Sequence, residues 1–243
     1  GPGLGTLDSS QTDYLRDTRG GGNGDYRVIV YAPNSIQETV DLMYNAFDVA
    51  EKYRNPVEIL SEAALGQMME PVEFPPFKER KEDLGWTFDG TDRPHGRIDN
   101  PGKPGALRAK VEAIMANEQR WENYMVEDAD YVFVAFGLPS RTSRNAVDQL
   151  REQGIKAGLI RPITVWPFPF GAFKAVPDSV KGIISVESTD AGQLIEDVAL
   201  ATKRMCRGNV PVYGLFSGQK IHKTKEIVTY VNGILSGENK EVF

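Results

Sequence analysis

Apolar runs alternate with amphipathic stretches in the first part of the chain, after a polar opening. A short apolar run at residues 27–31 predicts a buried strand, and Ser35 with Glu38 forms the capping-box pattern of a helix start. Apolar residues then recur at spacings of four, three, four and three, which predicts one buried helix face: Ile36, Val40, Met43, Phe47 and Ala50. Pro56 predicts that this helix ends just before it. A second strand is predicted at 57–60, and the intervening helix predicts that the two strands are parallel.

The second half of the chain repeats this alternation more regularly. Four apolar runs predict strands at residues 131–136, 155–160, 182–187 and 210–214. Three amphipathic stretches between and after them predict helices at residues 140–153, 191–205 and 224–235. Strands that alternate with helices in this way indicate a doubly wound α/β domain with a parallel sheet.

Three other stretches have a different character. Residues 1–25 are rich in glycine and polar side chains and predict a loop. Residues 75–109 contain five Pro, five Gly and 13 charged side chains, which predicts an extended linker over a surface rather than a core element. A helix is predicted over 110–125, with these apolar positions: Val111, Ile114, Met115, Trp121 and Tyr124.

Composition and charge exclude several classes of function. The 243 residues carry a net charge of −6 and show no basic stripe, which argues against a duplex-binding protein. One cysteine, Cys206, allows no disulfide within the chain, and it cannot hold an iron–sulfur cluster alone. The two histidines, His95 and His222, have no cysteine cluster beside them, so a structural zinc site is not expected. No apolar run approaches the length of a membrane span.

Candidate site residues follow the predicted strands, because ligands of open α/β sheets bind at the carboxyl ends of strands. Gly137, Arg161 and Glu187 stand at such ends in the second half. Glu187 could be a general acid or a cofactor contact, but capping the next helix is the commoner role of such a carboxylate, and Glu62 has the same two alternatives. The segment 140–144 (SRTSR) opens a helix and could bind an anion, although caps and solvated charges are commoner there.

Other side chains with chemical potential favour structural roles. Four aromatic residues cluster where Pro167 and Pro169 stiffen the chain, and they predict a packed corner or a subunit contact: Trp166, Phe168, Phe170 and Phe173. His222 lies among lysines and is predicted to be solvated. Cys206 lies near the end of a predicted helix, where the helix dipole opposes a lowered pKa, so it is predicted to be inert.

The opening residues 1–6 (GPGLGT) resemble a phosphate-binding glycine loop, but no strand precedes them and no helix follows, so a loop that reaches into a pocket is the favoured interpretation. The sequence also lacks a Walker loop, HExxH and GxSxG. It has no GDG followed by an Asn pair, the pattern that holds Mg²⁺ and the diphosphate of thiamine diphosphate. No complete active site is therefore visible in the sequence.

A set of motifs at fixed spacing nevertheless resembles a known family. These motifs are Gly1-Pro2-Gly3-Leu4-Gly5, Gln11-Thr12-Asp13-Tyr14, Gly20-Gly21-Gly22, Gly24-Asp25-Tyr26-Arg27, Lys52-Tyr53-Arg54-Asn55-Pro56-Val57, Gly66-Gln67-Met68-Met69-Glu70, Glu127-Asp128-Ala129-Asp130, Gly154-Ile155-Lys156, Gly158-Leu159-Ile160-Arg161-Pro162-Ile163-Thr164, Trp166-Pro167-Phe168-Pro169, and Glu187 with Gly192-Gln193. Over nearly all of residues 1–235 the chain resembles the alpha chain of 2-oxoacid:ferredoxin oxidoreductases, most closely the 2-oxoisovalerate (3-methyl-2-oxobutanoate) type.

The resemblance implies a fold and a domain organisation. It implies an α/β fold in which part of a thiamine-diphosphate-binding, pyrimidine-type domain precedes a transketolase-C-terminal-like, doubly wound domain. The expected divisions are the end of the pyrimidine-binding domain at 1–74, a linker and connecting helix at 75–125, and the transketolase-like domain at 126–243. The family places an activating Glu and a substrate-side Arg before the region matched by Gly1, so both are expected outside this chain.

The resemblance also implies an activity, namely the CoA-dependent oxidative decarboxylation of a branched-chain 2-oxoacid to acyl-CoA and CO₂, with reduction of ferredoxin. Leu4, Gly5 and Thr6 match the region that lines the substrate pocket. Thiamine diphosphate and Mg²⁺ are expected on the missing residues and a diphosphate-binding beta subunit, and iron–sulfur clusters only on ferredoxin-like partner subunits. A cytoplasmic, anaerobic enzyme, inactive as this chain alone, is expected. The alternatives are the same reaction on pyruvate, 2-oxoglutarate or an aryl 2-oxoacid, or a non-catalytic transketolase-like module that serves in assembly.

Overall fold

Two sheets and the helices around them form the protein in a computed structural model, which describes residues 8–79 and 105–243. The strands assigned in these ranges are β1 (Ile29–Tyr31), β2 (Val57–Ile59), β3 (Trp121–Tyr124), β4 (Tyr131–Val134), β5 (Ala157–Pro162), β6 (Thr164–Trp166), β7 (Gly182–Glu187) and β8 (Val212–Phe216). The helices are α1 (Tyr14–Arg19), α2 (Ile36–Tyr53), α3 (Ala63–Gln67), α4 (Ala106–Asn117), α5 (Gly137–Glu152), α6 (Leu194–Met205), α7 (Thr224–Leu235) and a 3₁₀ helix (Phe170–Ala175). None of the helices in these ranges is long and apolar enough to cross a membrane.

The smaller sheet has the order β2-β1-β6. Strands β1 and β2 are parallel, as the intervening helix predicts, and α2 begins at the predicted cap, where the Glu38 N–H donates to Ser35 Oγ at 3.1 Å. The third strand, β6, comes from far along the chain and pairs antiparallel with β1. The two halves of the sequence therefore share one sheet.

The predicted inner face of α2 is wrong. The residues of α2 that face the core are Leu42, Ala46 and Val49, which lie beside the predicted stripe rather than on it. Met43 and Phe47, two members of the predicted stripe, are 46% and 67% exposed. The apolar arc of this helix is wider than the face that the core covers, so part of it remains on the surface.

The larger sheet has the order β3-β5-β4-β7-β8. Strands β5, β4, β7 and β8 are parallel to one another, which confirms the doubly wound arrangement. Strand β3, which no sequence pattern predicted, pairs antiparallel with β5 at the edge of this sheet. The helix predicted over 110–125 is wrong in its second half for this reason: α4 ends at Asn117, and β3 follows. Helix α4 also begins inside the stretch predicted as linker.

The glycine-rich opening is not a loop throughout, because α1 lies within it. Tyr14, the first residue of α1, is only 1% exposed, and its hydroxyl donates to Asp197 Oδ2 at 2.5 Å. A contact partner 183 residues away along the chain stabilises this short helix, so no local pattern could announce it.

One core cluster joins the two halves of the chain. It contains residues of α1, β1, α2, β4, β6 and α6, among them Tyr14, Val30, Leu42, Val132, Trp166 and Val198. A second cluster lies on the other face of the larger sheet, between that sheet and helices α5 and α7. Successive residues of β4 alternate between the two clusters, as the two faces of a strand require. The domain divisions 1–74, 75–125 and 126–243 stay a prediction, with this shared core across them.

The aromatic corner after β5 is packed, as predicted. Trp166 is 9% exposed, and Phe168 and Phe173 are buried with their ring centroids 6.1 Å apart. Trp166 also ends β6, an edge strand, and its bond to Pro167 is cis. This segment therefore packs into the shared core directly after the strand that completes the smaller sheet.

Candidate functional site

The carboxyl ends of β4 and β7 border the crevice where open α/β sheets usually bind ligands. The chain leaves β4 toward β5 on one side and leaves β7 toward β8 on the other, which makes the space between β4 and β7 the topological switch point. Here the crevice is filled by residues 9–15 of the same chain, which contact the ends of both strands. The crevice is therefore a junction between the two halves of the molecule.

Gln11 connects the two halves through its backbone N–H and through both polar atoms of its side-chain amide. Its backbone N–H donates to the Ser188 carbonyl at 2.9 Å, and its Oε1 accepts the Ser188 N–H at 3.0 Å. Its Nε2 donates to the Phe136 carbonyl at 3.0 Å and to Glu62 Oε1 at 3.1 Å. Gln11 thereby bridges the residues that follow β4 and β7, and it is only 5% exposed.

Glu62 is the acidic centre of the same junction. Its carboxylate accepts the Ser9 hydroxyl at 2.8 Å and the Leu138 N–H, in the first turn of α5, at 3.0 Å. Burial raises the pKa of Glu62 to about 6, against the opposing effect of these hydrogen bonds. The prediction that Glu62 caps the next helix is wrong, because α3 has no side-chain cap. The carboxylate instead accepts an N–H in the first turn of α5, which belongs to the other half of the chain.

Glu187, at the end of β7, caps α6. Its two carboxylate oxygens accept the N–H groups of Gln193, Leu194 and Ile195 at 2.7–2.9 Å. The side chain is 1% exposed, and Ser185 donates to it at 2.8 Å. All the acceptor positions of Glu187 face protein donors, which confirms the cap and leaves no open oxygen for a substrate.

Further contacts tie α1 to the start of α6. The Leu15 N–H donates to Gln193 Oε1 at 2.9 Å, and Gln193 Nε2 donates to the Thr12 carbonyl at 2.8 Å. Asp197 accepts from both Tyr14 and Arg19, the latter at 3.0 Å. Burial, followed by the nearby Asp197 carboxylate, raises the pKa of Tyr14 well above its ordinary value, so the hydroxyl keeps its proton.

Arg161 and the segment 140–144 form ion pairs. Arg161 donates to both Glu38 oxygens, at 2.8 and 2.9 Å, and it is nearly buried. Arg141 pairs with Glu70 at 2.7 Å, and Arg144 pairs with Glu122 at 2.5 Å. A cleft of about 250 Å³ lies between these groups. Because each of these arginines already faces a carboxylate, the geometry does not favour the anion site that the sequence allowed.

His222 and Cys206 have no role in this junction. The prediction of a solvated His222 is wrong, since it is 4% exposed, and burial lowers its pKa. Lysines adjacent in sequence suggested a solvated side chain, but the imidazole is buried, with its Nδ1 3.6 Å from a Glu226 carboxylate oxygen. Burial raises the pKa of Cys206 to about 11, which agrees with an inert thiol.

A small polar cavity adjoins Gln11 and Glu62. Its volume is about 80 Å³, and Asp8, Ser10, Asp13 and Ser61 line it together with them. Leu4, Gly5 and Thr6, the predicted substrate-binding residues, are separated from Asp8 only by Leu7 in sequence but lie outside the described residues. The cavity is far smaller than the several hundred Å³ of a usual cofactor pocket. In residues 8–79 and 105–243, no group of three or more metal-ligating side chains comes together. These residues do not fit thiamine diphosphate and its metal.

No local sequence pattern indicated a role for Gln11, Tyr14 or Asp197. Gln11 and Tyr14 belong to one of the motifs that carry the family resemblance, which was the only available signal. Their partners, Ser188 and Asp197, lie 177 and 183 residues away, so no helix or strand period relates them.

This geometry defines a class: an α/β protein with one parallel doubly wound sheet, whose ligand crevice is closed by a segment of a second, smaller sheet unit. Comparison with known sequences identifies the family. Residues 3–131 match the family described as pyruvate flavodoxin/ferredoxin oxidoreductase, thiamine diphosphate-binding, and residues 129–227 match pyruvate:ferredoxin oxidoreductase core domain II. The chain belongs to this oxidoreductase family.

Several curated relatives carry specific names. The chain is 43% identical over 212 residues to the ketoisovalerate oxidoreductase subunit VorB of Methanothermobacter marburgensis, covering 83% of this chain and 60% of that protein. It is 31% identical over 269 residues to the 2-oxoglutarate synthase subunit KorA of Methanocaldococcus jannaschii, covering 96% of this chain and 71% of that protein. The chain thus spans about 60% of the length of the VorB proteins it matches.

A solved structure has the same fold. The 2-oxoglutarate:ferredoxin oxidoreductase from Magnetococcus marinus superimposes with a TM-score of 0.69 at 20% identity, covering 96% of this chain and 46% of that chain. At this identity the likeness extends to the fold. Almost the whole of this chain therefore corresponds to under half of a longer oxidoreductase chain.

Proposed function

We propose that the chain is part of the alpha subunit of a 2-oxoacid:ferredoxin oxidoreductase. The reaction is the oxidative decarboxylation of 2-oxoisovalerate, a branched-chain 2-oxoacid, which with CoA gives the acyl-CoA and CO₂. The two electrons released pass to ferredoxin. The 43% identity to a ketoisovalerate oxidoreductase subunit carries this proposal, since the 2-oxoglutarate synthase subunits reach 31% and the pyruvate synthase subunits 29%.

The cofactors of the reaction belong to the complex. Thiamine diphosphate and Mg²⁺ are proposed to bind to a diphosphate-binding beta subunit and to alpha-subunit residues beyond this chain, because the described residues do not fit them. Iron–sulfur clusters are assigned to ferredoxin-like subunits, in keeping with the single cysteine. The complex is proposed to be cytoplasmic.

Leu4, Gly5 and Thr6 are proposed to contact the substrate. Support comes from their neighbours: Ser9 and Gln11, which follow them by a few residues, are anchored to Glu62 at 2.8 and 3.1 Å. Because Ser9 and Gln11 are held in place, the chain adjoining residues 4–6 has a fixed position. In the same scheme, residues 1–74 end the pyrimidine-binding domain, 75–125 connect, and 126–243 form the transketolase-like domain.

The experiment is an assay of substrate choice. The full-length subunit, assembled with its partner subunits, should reduce a viologen dye in a manner that depends on both CoA and 2-oxoisovalerate. The preference for 2-oxoisovalerate over 2-oxoglutarate and pyruvate should be at least tenfold in kcat/KM. Equal or better turnover of 2-oxoglutarate would establish the second candidate, which the 31% identity across 96% of the chain favours.

The isolated chain of residues 1–243 should be inactive in the same assay. Its residues 8–79 and 105–243 do not fit the cofactor, so turnover without partner subunits would contradict the assignment. An assembled full-length complex that turns over none of these 2-oxoacids would instead favour a non-catalytic assembly module.

A further inference from the structure

An exposed apolar surface runs along α2. We call it the α2 face and define it by five side chains: Met43, Phe47, Met69, Phe74 and Phe77. Phe74 and Phe77 are 82% and 95% exposed, and Met69 is 98% exposed. The three phenylalanines alone leave roughly 400–600 Å² uncovered, given the area that an aromatic side chain can bury. Patches of that size on a soluble protein commonly mark an interaction site.

The segment 68–79 is held along α2 rather than loosely attached. Glu70 accepts the Ile36 N–H at 2.9 Å, and Gln37 exchanges hydrogen bonds with the Glu73 backbone at 2.7 and 3.0 Å. Farther along the helix, the Tyr44 hydroxyl donates to the Pro76 carbonyl at 2.6 Å.

Lys78 completes the attachment, since its Nζ donates to the Tyr44 carbonyl at 2.9 Å and to Asp48 at 2.6 Å. Three prolines stiffen the same segment: Pro71, Pro75 and Pro76. Phe74 and Phe77 are therefore presented on a fixed backbone, which lowers the entropy that a partner must offset when it binds them.

The α2 face is also strongly acidic. Helix α2 and segment 68–79 together contain seven carboxylates and two lysines, so these 30 residues carry a charge of −5 out of the −6 of the chain. Arg161 and Arg141 neutralise Glu38 and Glu70 from the other half of the molecule. Exposed carboxylates remain beside the apolar side chains, among them Asp41 and Glu73.

This charge decides which occupant fits. A second copy of the chain that docks through the same face would bring the same acidic rim against this one, and like charges across an interface cost several kcal/mol. Anionic lipid headgroups meet the same repulsion. A different protein with an apolar socket and a rim of lysine or arginine is the complementary occupant.

We propose that the α2 face is the docking surface for a non-identical subunit of the complex, which presents an apolar socket rimmed by basic side chains. The inference rests on the proposed function only in assuming that the full-length protein is one subunit of a larger assembly. Phe47, Phe74 and Phe77 form the apolar centre of the interface, and Asp41 and Glu73 form its acidic rim.

Hydroxyl-radical footprinting with peptide mass spectrometry tests this on the native proteins. The full-length subunit is compared alone and in its complete complex. Modification of Met69, Phe74 and Phe77 should fall at least fivefold in the complex. Leu200 and Leu235, which are 42% and 52% exposed on other helices, should change less than twofold. Equal modification of the α2 face in both samples, or equal protection of the control residues, would overturn the proposal. So would protection already present in the isolated full-length subunit.

Variants test the chemistry of the contact. Phe47→Ser with Phe77→Ser should weaken subunit association about 10- to 100-fold, as expected for truncation at the centre of an interface. Asp41→Lys with Glu73→Lys should slow association and reduce its dependence on salt, whereas Leu200→Ser should change neither. Two results would assign the face to another occupant. One is self-association of the free subunit that is lost in Phe77→Ser, and the other is binding to anionic vesicles that is lost in the same variant.

Association does not require turnover, so the two proposals fail separately. A complex that does not use 2-oxoisovalerate but protects the α2 face would overturn only the proposed function. A complex that uses it and leaves the face open would overturn only the docking surface.

Discussion

The carboxylate of Glu62 occupies the space that a side chain on Gly137 would require. Gly137 has a φ of +59°, and a Cβ built on it would collide with Glu62 Oε1. The absence of a side chain lets the first turn of α5 approach the carboxylate, so that the Leu138 N–H donates to it at 3.0 Å. One glycine thus permits the contact that joins β2 to α5.

Replacing Gly137 by alanine should consequently lower the free energy of unfolding by about 2–4 kcal/mol, because overpacking adds to the strain of a positive φ. Gly154→Ala is the matched control. Gly154 also has a positive φ, +81°, but nothing lies within 4 Å of its Cβ position, so only about 1–2 kcal/mol should be lost. Urea denaturation measures both, and equal losses would show that Glu62 moves aside at no cost.

Glu62 should make stability depend on pH. Its pKa is raised from 4.5 to about 6 in the folded state. The unfolded chain therefore releases this proton first, and the contribution of Glu62 is fully present below pH 4.5 and declines as the pH rises to 6. The decline amounts to about 2 kcal/mol at 1.4 kcal/mol per pKa unit.

Glu62→Gln removes the charge but can retain the acceptor for Leu138 and Gln11, with its amide N–H₂ facing the Ser9 hydroxyl. This variant should lack the decline between pH 4.5 and 6. Urea denaturation of both proteins across pH 4–7 provides the comparison, and parallel curves would contradict a titrating Glu62.

Glu187→Ala should destabilise the protein by about 3–5 kcal/mol. The variant leaves three N–H groups at the start of α6 without their acceptor, two of them buried. A buried N–H without an acceptor costs about 1–3 kcal/mol, and local relaxation or the entry of a water molecule reduces the sum. Glu196→Ala, in the same first turn, is the control. The Glu196 side chain is 54% exposed, and its ion pair with Arg19 is long, at 3.8 Å. Because exposed ion pairs contribute little, the loss of Glu196 should change stability by less than about 1 kcal/mol. Similar effects of the two substitutions would refute the capping role of Glu187.

Trp166→Ala should lower the free energy of unfolding by about 3–5 kcal/mol, since this buried side chain packs in the core shared by both sheets. Trp121, which is 39% exposed on β3, is the natural comparison, and its truncation should cost less. The KM for the 2-oxoacid in any complex that still assembles should stay unchanged. Wild-type stability with a large loss of kcat would place Trp166 in the active site instead.

Local patterns predicted the elements whose boundaries depend on neighbouring residues. The predicted limits of α7 and β7 agree with the structure, because amphipathic period, cap and apolar run are all local there. The same patterns failed at β3, where Trp121 and Tyr124 fit a helix period but the edge of β5 recruits the segment as a strand. They failed also at α2, whose apolar arc covers more than its core-facing side.

The site was less accessible to sequence reasoning than the fold. Of the two carboxylates that follow apolar strands, only Glu187 could be predicted as the cap of the next helix, because Glu62 contacts α5 instead. The roles of Gln11 and Tyr14 could not, because their burial results from contacts with Ser188 and Asp197 near the other end of the chain. A buried amide in a glycine-rich stretch has no periodic signature.

The insertion of residues 9–15 into the crevice between β4 and β7 constrains how the two halves can be recombined with those of relatives. A chimera that took residues 126–243 from another family member would receive a crevice shaped for that member's own segment. Gln11 would have to match the foreign carbonyls after β4 and β7, and Glu62 would have to match a foreign N–H at the start of α5. Strand β1 would have to pair with a foreign β6. Exchange breakpoints should therefore transfer residues 8–19, β1 and β2 together with the larger sheet, so that the crevice and the segment that fills it come from the same parent.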